Sequence, residues 1–182
     1  MKIYKIANKE IAKVLPLNRL RQPDNSTCGH TSIAMIAQYY NINKSVKDIQ
    51  NIASEKENKE GLDPNSIINI FNKLGLSATK HFNLSFEEIK NYINKNTPII
   101  IELQAWSDNK HTNNQWKNEW NEGHYIVTIG YTQNKLIFAD PSTNERTYLS
   151  YEELLPRWHD NDYGTKNEKL AIIINRNKNE NI

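Results

Sequence analysis

Gln22-Pro23-Asp24-Asn25-Ser26-Thr27-Cys28-Gly29-His30-Thr31-Ser32-Ile33-Ala34-Met35-Ile36 sets a polar, turn-forming run directly before an apolar one, with the only cysteine of the chain at the junction. Beyond it Ile33, Met35, Ile36, Ala37 and Tyr40 recur at helical spacing, which predicts a helix over Cys28 to Tyr40 with Asp24, Asn25 and Ser26 upstream as caps. The thiol then emerges where the helix begins, beside free N–H groups that favour an anion. A lone cysteine is otherwise most often an inert buried residue. Gln22 carries an amide able to donate to a developing oxyanion together with the Cys28 N–H. On its residue type alone, Gln22 reads as a surface glutamine before a proline turn.

Working outward, the first half of the chain is mainly helical. A short helix follows Ser45 through Val46, Ile49 and Ile52. Another opens at Asp63-Pro64, runs through Ile67, Ile68, Phe71 and Leu74, and stops at Gly75. Ser85 with Glu88 forms a capping box ahead of Phe86, Ile89, Tyr92 and Ile93. From Pro98 the period changes, and Ile99 to Leu103, His124 to Tyr131, Lys135 to Ala139 and Leu170 to Ile174 read as strands. Tyr131 to Lys135 connects the second and third of these as a hairpin. A last short helix runs from Ser150 to Leu155, capped through Ser150 and Glu153 and cut by Pro156. Helices first and antiparallel strands second predict an α+β fold, an N-terminal helical half packed on a C-terminal antiparallel sheet. No repeat or linker divides the 182 residues, so residues 1–182 form a single domain, long enough to bury roughly 70% of its unfolded surface.

Composition excludes several function classes. A net charge of +2 with Lys and Glu interspersed gives no basic stripe, and so no electrostatic case for nucleic acid. No segment is long and apolar enough for a membrane span, and Met1 to Leu20 alternates lysine with apolar residues unlike a signal peptide. One cysteine permits no intrachain disulfide. The default location is cytoplasmic, with unconventional secretion leaving no readable mark. Structural zinc wants paired ligands such as C-x-x-C or H-x-x-x-H, which are absent, so no metal and no cofactor is expected.

A thiol nucleophile needs an imidazole, and the imidazole needs an orienting group. His124 follows Gly123 and leads an apolar strand, at the edge of the core. Asp140 ends the next strand of the proposed hairpin, and in an antiparallel pair that end adjoins the start of its partner. Asp140-Pro141 also reads simply as a turn after a strand. His30, two positions from Cys28, turns away from the sulfur on a helix. His81 and His111 lie in polar connections, and His159 follows Trp158 near a helix end. The stretch from Gln104 to Gly123 has no periodicity but holds Trp106, Trp116 and Trp120. These tryptophans either pin a long loop or line a groove beside His124, and on the second reading Trp106 and Gly123 contact substrate.

The opening block, with Gly123-His124-Tyr125-Ile126-Val127-Thr128-Ile129-Gly130-Tyr131 and Ile137-Phe138-Ala139-Asp140-Pro141-Ser142, resembles the bacteriocin-processing, double-glycine-leader cysteine peptidase family of the papain-like superfamily. The blocks span Arg21 to Ser142, and the likeness is to the family's stand-alone members. The resemblance implies a papain-like fold with Cys28 as nucleophile, His124 as general base and acid, Asp140 as orienter and Gln22 in the oxyanion hole. It implies a cysteine peptidase hydrolysing a peptide bond of a peptide or protein substrate through a thioester. Two other readings stand beside it: acyl or amine transfer on the same triad, and a non-catalytic peptide- or glycan-binding domain of the same fold.

Overall fold

A computed structural model describes residues 11–107 and 111–176. Of the N-terminal stretch read as lacking a signal peptide, residues 1–10 lie outside the described residues, as do residues 108–110 of the tryptophan-rich stretch.

After strand β1 (Ile11–Val14) come helices α1 (Cys28–Tyr39), α2 (Val46–Ile52), α3 (Glu55–Glu60) and α4 (Pro64–Lys73). Strand β2 (Leu76–Phe82), helix α5 (Phe86–Asn94), strand β3 (Ile99–Gln104) and helix α6 (Asn113–Asn118) follow. Then come β4 (Gly123–Thr132), β5 (Lys135–Ala139), β6 (Arg146–Ser150), α7 (Tyr151–Leu154), a 3-10 turn over Leu155–Arg157, β7 (His159–Asp162), β8 (Thr165–Glu168) and β9 (Leu170–Arg176). Local chemistry sets the boundaries. Ser45, Ser54, Ser85, Thr112 and Ser150 each close a reciprocal capping box, and Asp63 caps the helix opened by Pro64.

The main sheet runs β2-β9-β3-β4-β5-β6, with β1 paired to β4, and is antiparallel throughout. Strand alternation splits its side chains between two apolar cores. Ile100, Val127, Ile129, Ile137 and Ile172 pack against α1 and α4 through Ile33, Met35, Ile36, Ile67 and Phe71. Ile99, Ile101, Leu103, Ile126, Phe138 and Ile173 pack on the other face with Ile89, Leu154 and Trp158. The sheet is therefore the middle layer, and α1 stands over one face with Cys28 at its leading end.

The mixed helix-and-sheet architecture matches the sequence reading, with differences at particular places. β1 and β2 arise in the helical half and complete the sheet. The stretch from Gln104 to Gly123 is not structureless, because Thr112 and Gln115 cap α6. Asp24, Asn25 and Ser26 do not cap α1. The cap residue is Thr27 with no side-chain cap bond, because Asp24 Oδ1 accepts instead from the Ser26 N–H and hydroxyl, at 3.0 and 2.9 Å. That turn leaves the leading N–H groups of α1 to whatever lies in front of Cys28.

Candidate active site

Pairing of β4 with β5, with Val127 opposite Ala139, brings the end of β5 alongside the start of β4. There His124 Nε2 and Asp140 Oδ1 lie 2.8 Å apart, at 6% and 0% exposure. Asp140 is held in turn by Ser142, whose N–H and hydroxyl both donate to Oδ1 at 2.9 and 2.8 Å. The Asp-Pro turn and the carboxylate that meets His124 are thus one structure: the turn aims the side chain.

With Nε2 engaged, Nδ1 is the ring nitrogen left for the thiol. Burial disfavours the charged ring. The hydrogen bonds that the ring makes to Asp140 and Cys28, and the charges of both, outweigh it and push His124 up to about 10. Burial likewise opposes ionisation of Asp140, but the hydrogen bond and charge of His124 and the two bonds from Ser142 hold its carboxyl below the usual range. Cys28, Asp140 and His124 come from α1, the end of β5 and the start of β4, and the imidazole is where they meet.

Gln22 reaches the same place. Its backbone N–H donates to the Pro141 carbonyl at 2.7 Å, and one amide N–H donates to the Asp24 carbonyl at 2.7 Å. A cleft of roughly 500 Å³ is lined by Gln22, Asn25, Trp106, Gly123, His124 and Ser142. A larger, shallower depression of about 800 Å³ around Tyr39, Asn96 and Arg176 is lined by no histidine, and Cys28 lines neither of the two.

The tryptophans divide. Trp106 lines the cleft, and its Nε1 donates to Asp140 Oδ2 at 2.6 Å, so the carboxylate is gripped on both oxygens. Trp116 pins the segment as the buried residue of α6, with the Arg157 guanidinium 4.1 Å from its ring. Trp120 leans on His159, ring centroids 4.4 Å apart. Gly123 also lines the cleft, and any side chain there collides with the Asp160 carboxylate beneath it. His30 is fully buried in α1, where burial pushes its imidazole down and Asn58 is a hydrogen-bonding neighbour. His81 faces Thr79 at 3.1 Å, and His159 Nε2 faces the Glu119 carbonyl at 2.7 Å. Sequence reasoning missed Ser142 and the grip of Trp106 on Asp140. The first had a signal in the Asp-Pro-Ser turn; the second, 34 residues away, had none.

Helices packed on an antiparallel sheet, with a cysteine at a helix start facing a histidine from a strand, define the papain-like cysteine peptidase fold. The chain belongs to the Peptidase_C39 like family, whose model matches residues 12–164. Among solved structures it is similar to a double glycine motif protease from an AMS/PCAT transporter in complex with the leader peptide. Identity there is 15%, covering 91% of this chain and 96% of that one, with a TM-score of 0.60. It is similar to the peptidase domain of Streptococcus ComA, at 21% identity, 88% and 99% coverage and a TM-score of 0.62. A chain from Bacillus anthracis described as a C39-like peptidase aligns at 17% identity, 92% and 98% coverage and a TM-score of 0.62. No curated protein matches the chain by sequence. Among the described residues no helix is long and apolar enough to cross a membrane.

Proposed function

We propose that this chain hydrolyses a peptide bond through Cys28, His124 and Asp140, with Gln22 in the oxyanion hole and a peptide or protein as substrate. The observation that supports it most is the sealed His124–Asp140 pair, whose remaining ring nitrogen faces the element that begins with Cys28. An ion pair so buried is expensive to maintain, and as a structural device it would be a poor investment.

In the reaction the proton of the Cys28 thiol resides on His124 Nδ1, and Sγ attacks the carbonyl carbon. The oxyanion accepts from the Gln22 amide and the Cys28 N–H. Collapse to the thioester expels the amine, which leaves with the proton from His124. Water then adds to the thioester with His124 again as base. The second collapse releases the carboxylic acid and restores Sγ. Asp140 keeps Nε2 protonated throughout, so that Nδ1 does the proton exchange. Trp106, as a wall of the cleft and a donor to Asp140, joins substrate contact to carboxylate positioning.

Cys28→Ala tests the assignment, with turnover expected to vanish and the circular dichroism spectrum to stay unchanged. Residual activity within tenfold of the parent overturns it. Iodoacetamide labelling gives a second measure: rapid at pH 6 in the parent and much slower in His124→Ala if the thiolate depends on the imidazolium. Slow labelling of both favours a binding domain.

A further inference from the structure

Away from the cysteine, Glu102 on β3 faces the α1 side of the sheet, a position flanked by the apolar side chains of Ile100 and Val127. It is 2% exposed, and its carboxyl meets no cation and no amide donor, only the Asp162 carboxyl and the Tyr125 hydroxyl. Strand β7 packs against β3 and brings Asp160 and Asp162 to it, so that one oxygen of each of the three residues lies within 4.8 Å of the others. Opposite Glu102 on β4 is Tyr125, 5% exposed, whose hydroxyl has the Glu102 carboxyl as its neighbour and which feels the charges of Glu102 and Asp162. Among the described residues no lysine or arginine pairs with any of the three carboxylates. A buried acid without a cation or an amide donor is costly, and Glu102 is such an acid with the side chains of Asp160, Asp162 and Tyr125 converging on it, an arrangement that calls for a positive ligand.

We propose that Glu102, Asp160 and Asp162 form a divalent-cation site of the calcium class at the seam between β3 and β7, beneath the strand start that carries His124. The donor set is all oxygen, which suits a hard cation and not zinc. Oxygens bonded to one calcium at about 2.3–2.6 Å lie no more than about 5 Å apart, and this set meets that limit as it stands. The outer partners are in place: Gln104 Nε2 donates to Asp160 Oδ1 at 2.8 Å, and Asn167 Nδ2 to Asp162 Oδ2 at 2.7 Å. Crowding also drives the Glu102 carboxyl well above its usual range, mainly through burial and then through Asp162 and Asp160, a cost that a bound cation reverses. Because Asp160 fills the space beside Gly123, a cation drawing Asp160 toward Glu102 braces the β4 start from below.

The test is calcium alone on the full chain, read by thermal unfolding and by terbium luminescence sensitised through the aromatic residues, and needs no turnover. In the parent, calcium raises the melting temperature and displaces terbium, and chelator reverses both. Asp162→Asn weakens calcium binding by at least ~10-fold. Glu102→Gln melts in chelator at or above the parent temperature, since a neutral amide replaces a buried acid, and has lost the calcium response. A parent melting temperature unmoved by calcium up to ~10 mM, beyond the weak end of protein calcium sites, overturns the site. So does a calcium response that survives unchanged in both variants. Should Glu102→Gln fail to fold, Asp162→Asn, at a half-buried position, decides alone.

Discussion

His124 and Asp140 meet through Nε2 and Oδ1 at 2.8 Å inside a site that admits almost no solvent. The contact turns two groups that burial would neutralise into an imidazolium and a carboxylate. Its partners are fixed independently, His124 by the β3–β4 register and Asp140 by its own turn, so the pair is ready before substrate arrives.

That relationship has a pH signature. His124, up to about 10 in the fold against an ordinary 6.5, keeps a proton that the unfolded chain releases. The resulting stability is fully present below 6.5 and lost as pH rises through about 10, at no more than about 1.4 kcal/mol per pH unit. Asp140 acts in the opposite sense: its contribution is present above 3.8 and lost as pH falls through its lowered folded value. Asp140→Asn removes the partner, so the alkaline decline in stability and the alkaline limb of kcat/KM both move to lower pH. Turnover falls about 100-fold or more, short of the loss in Cys28→Ala. Urea unfolding and pH–rate profiles between pH 6 and 10.5 check this, and superimposable profiles would demote Asp140 to a turn residue.

Trp106→Phe keeps the ring in the cleft and deletes one donor. Asp140 Oδ2, fully buried, then loses its 2.6 Å bond, which costs about 1–3 kcal/mol of stability. With Asp140 held only through Oδ1, kcat falls several-fold while KM stays nearly level, whereas Trp106→Ala raises KM as well by removing a cleft wall. A KM change equal in both variants would show that the indole N–H does nothing.

Much of this was legible in the sequence, for identifiable reasons. α1, α4 and α5 carry apolar residues at helical spacing, the last two behind residues that do cap them, and β3, β4, β5 and β9 are apolar runs too short for helices. α3 escaped because Glu-Lys-Glu-Asn-Lys-Glu buries nothing and is held by the Ser54–Glu57 capping box. β2 buries only Leu76 and Ala78, and β7 and β8 are polar strands that exist by pairing with each other. Cys28, His124 and Asp140 were readable because each sits at an element end. The Glu102 cluster was not, since its members are joined only by the packing of β7 on β3, and Glu102 sits inside an apolar run.

Gly123 is constrained by its neighbour and not by its backbone. A methyl group there runs into the Asp160 carboxylate, so Gly123→Ala forces the Asp160 side chain off its bond from Gln104 or shifts the β4 start. Destabilisation of about 1–3 kcal/mol is expected, as for other overpacked sites. Because His124 is the next residue, kcat falls more steeply than the melting temperature alone would imply. The double variant Gly123→Ala with Asp160→Ala relieves the collision and recovers stability. Additive losses in the double variant would place the strain elsewhere.

Gln22 carries the most exacting prediction, because its amide has two N–H bonds and only one is committed. The bond to the Asp24 carbonyl fixes the plane of the amide, while the backbone bond to Pro141 fixes its position beside the Asp140 turn. On the proposed assignment the second N–H serves an oxyanion in the cleft that Gln22 lines. Such a donor acts on charge that develops only in the transition state, so Gln22→Ala should lower kcat about 100- to 1000-fold with KM little changed. Gln22→Glu is nearly isosteric but presents only acceptors when ionised, and should lose at least as much. Steady-state kinetics on any peptide that the parent cleaves separates the possibilities. Losses under tenfold in both variants would leave the Cys28 N–H to hold the oxyanion without the glutamine.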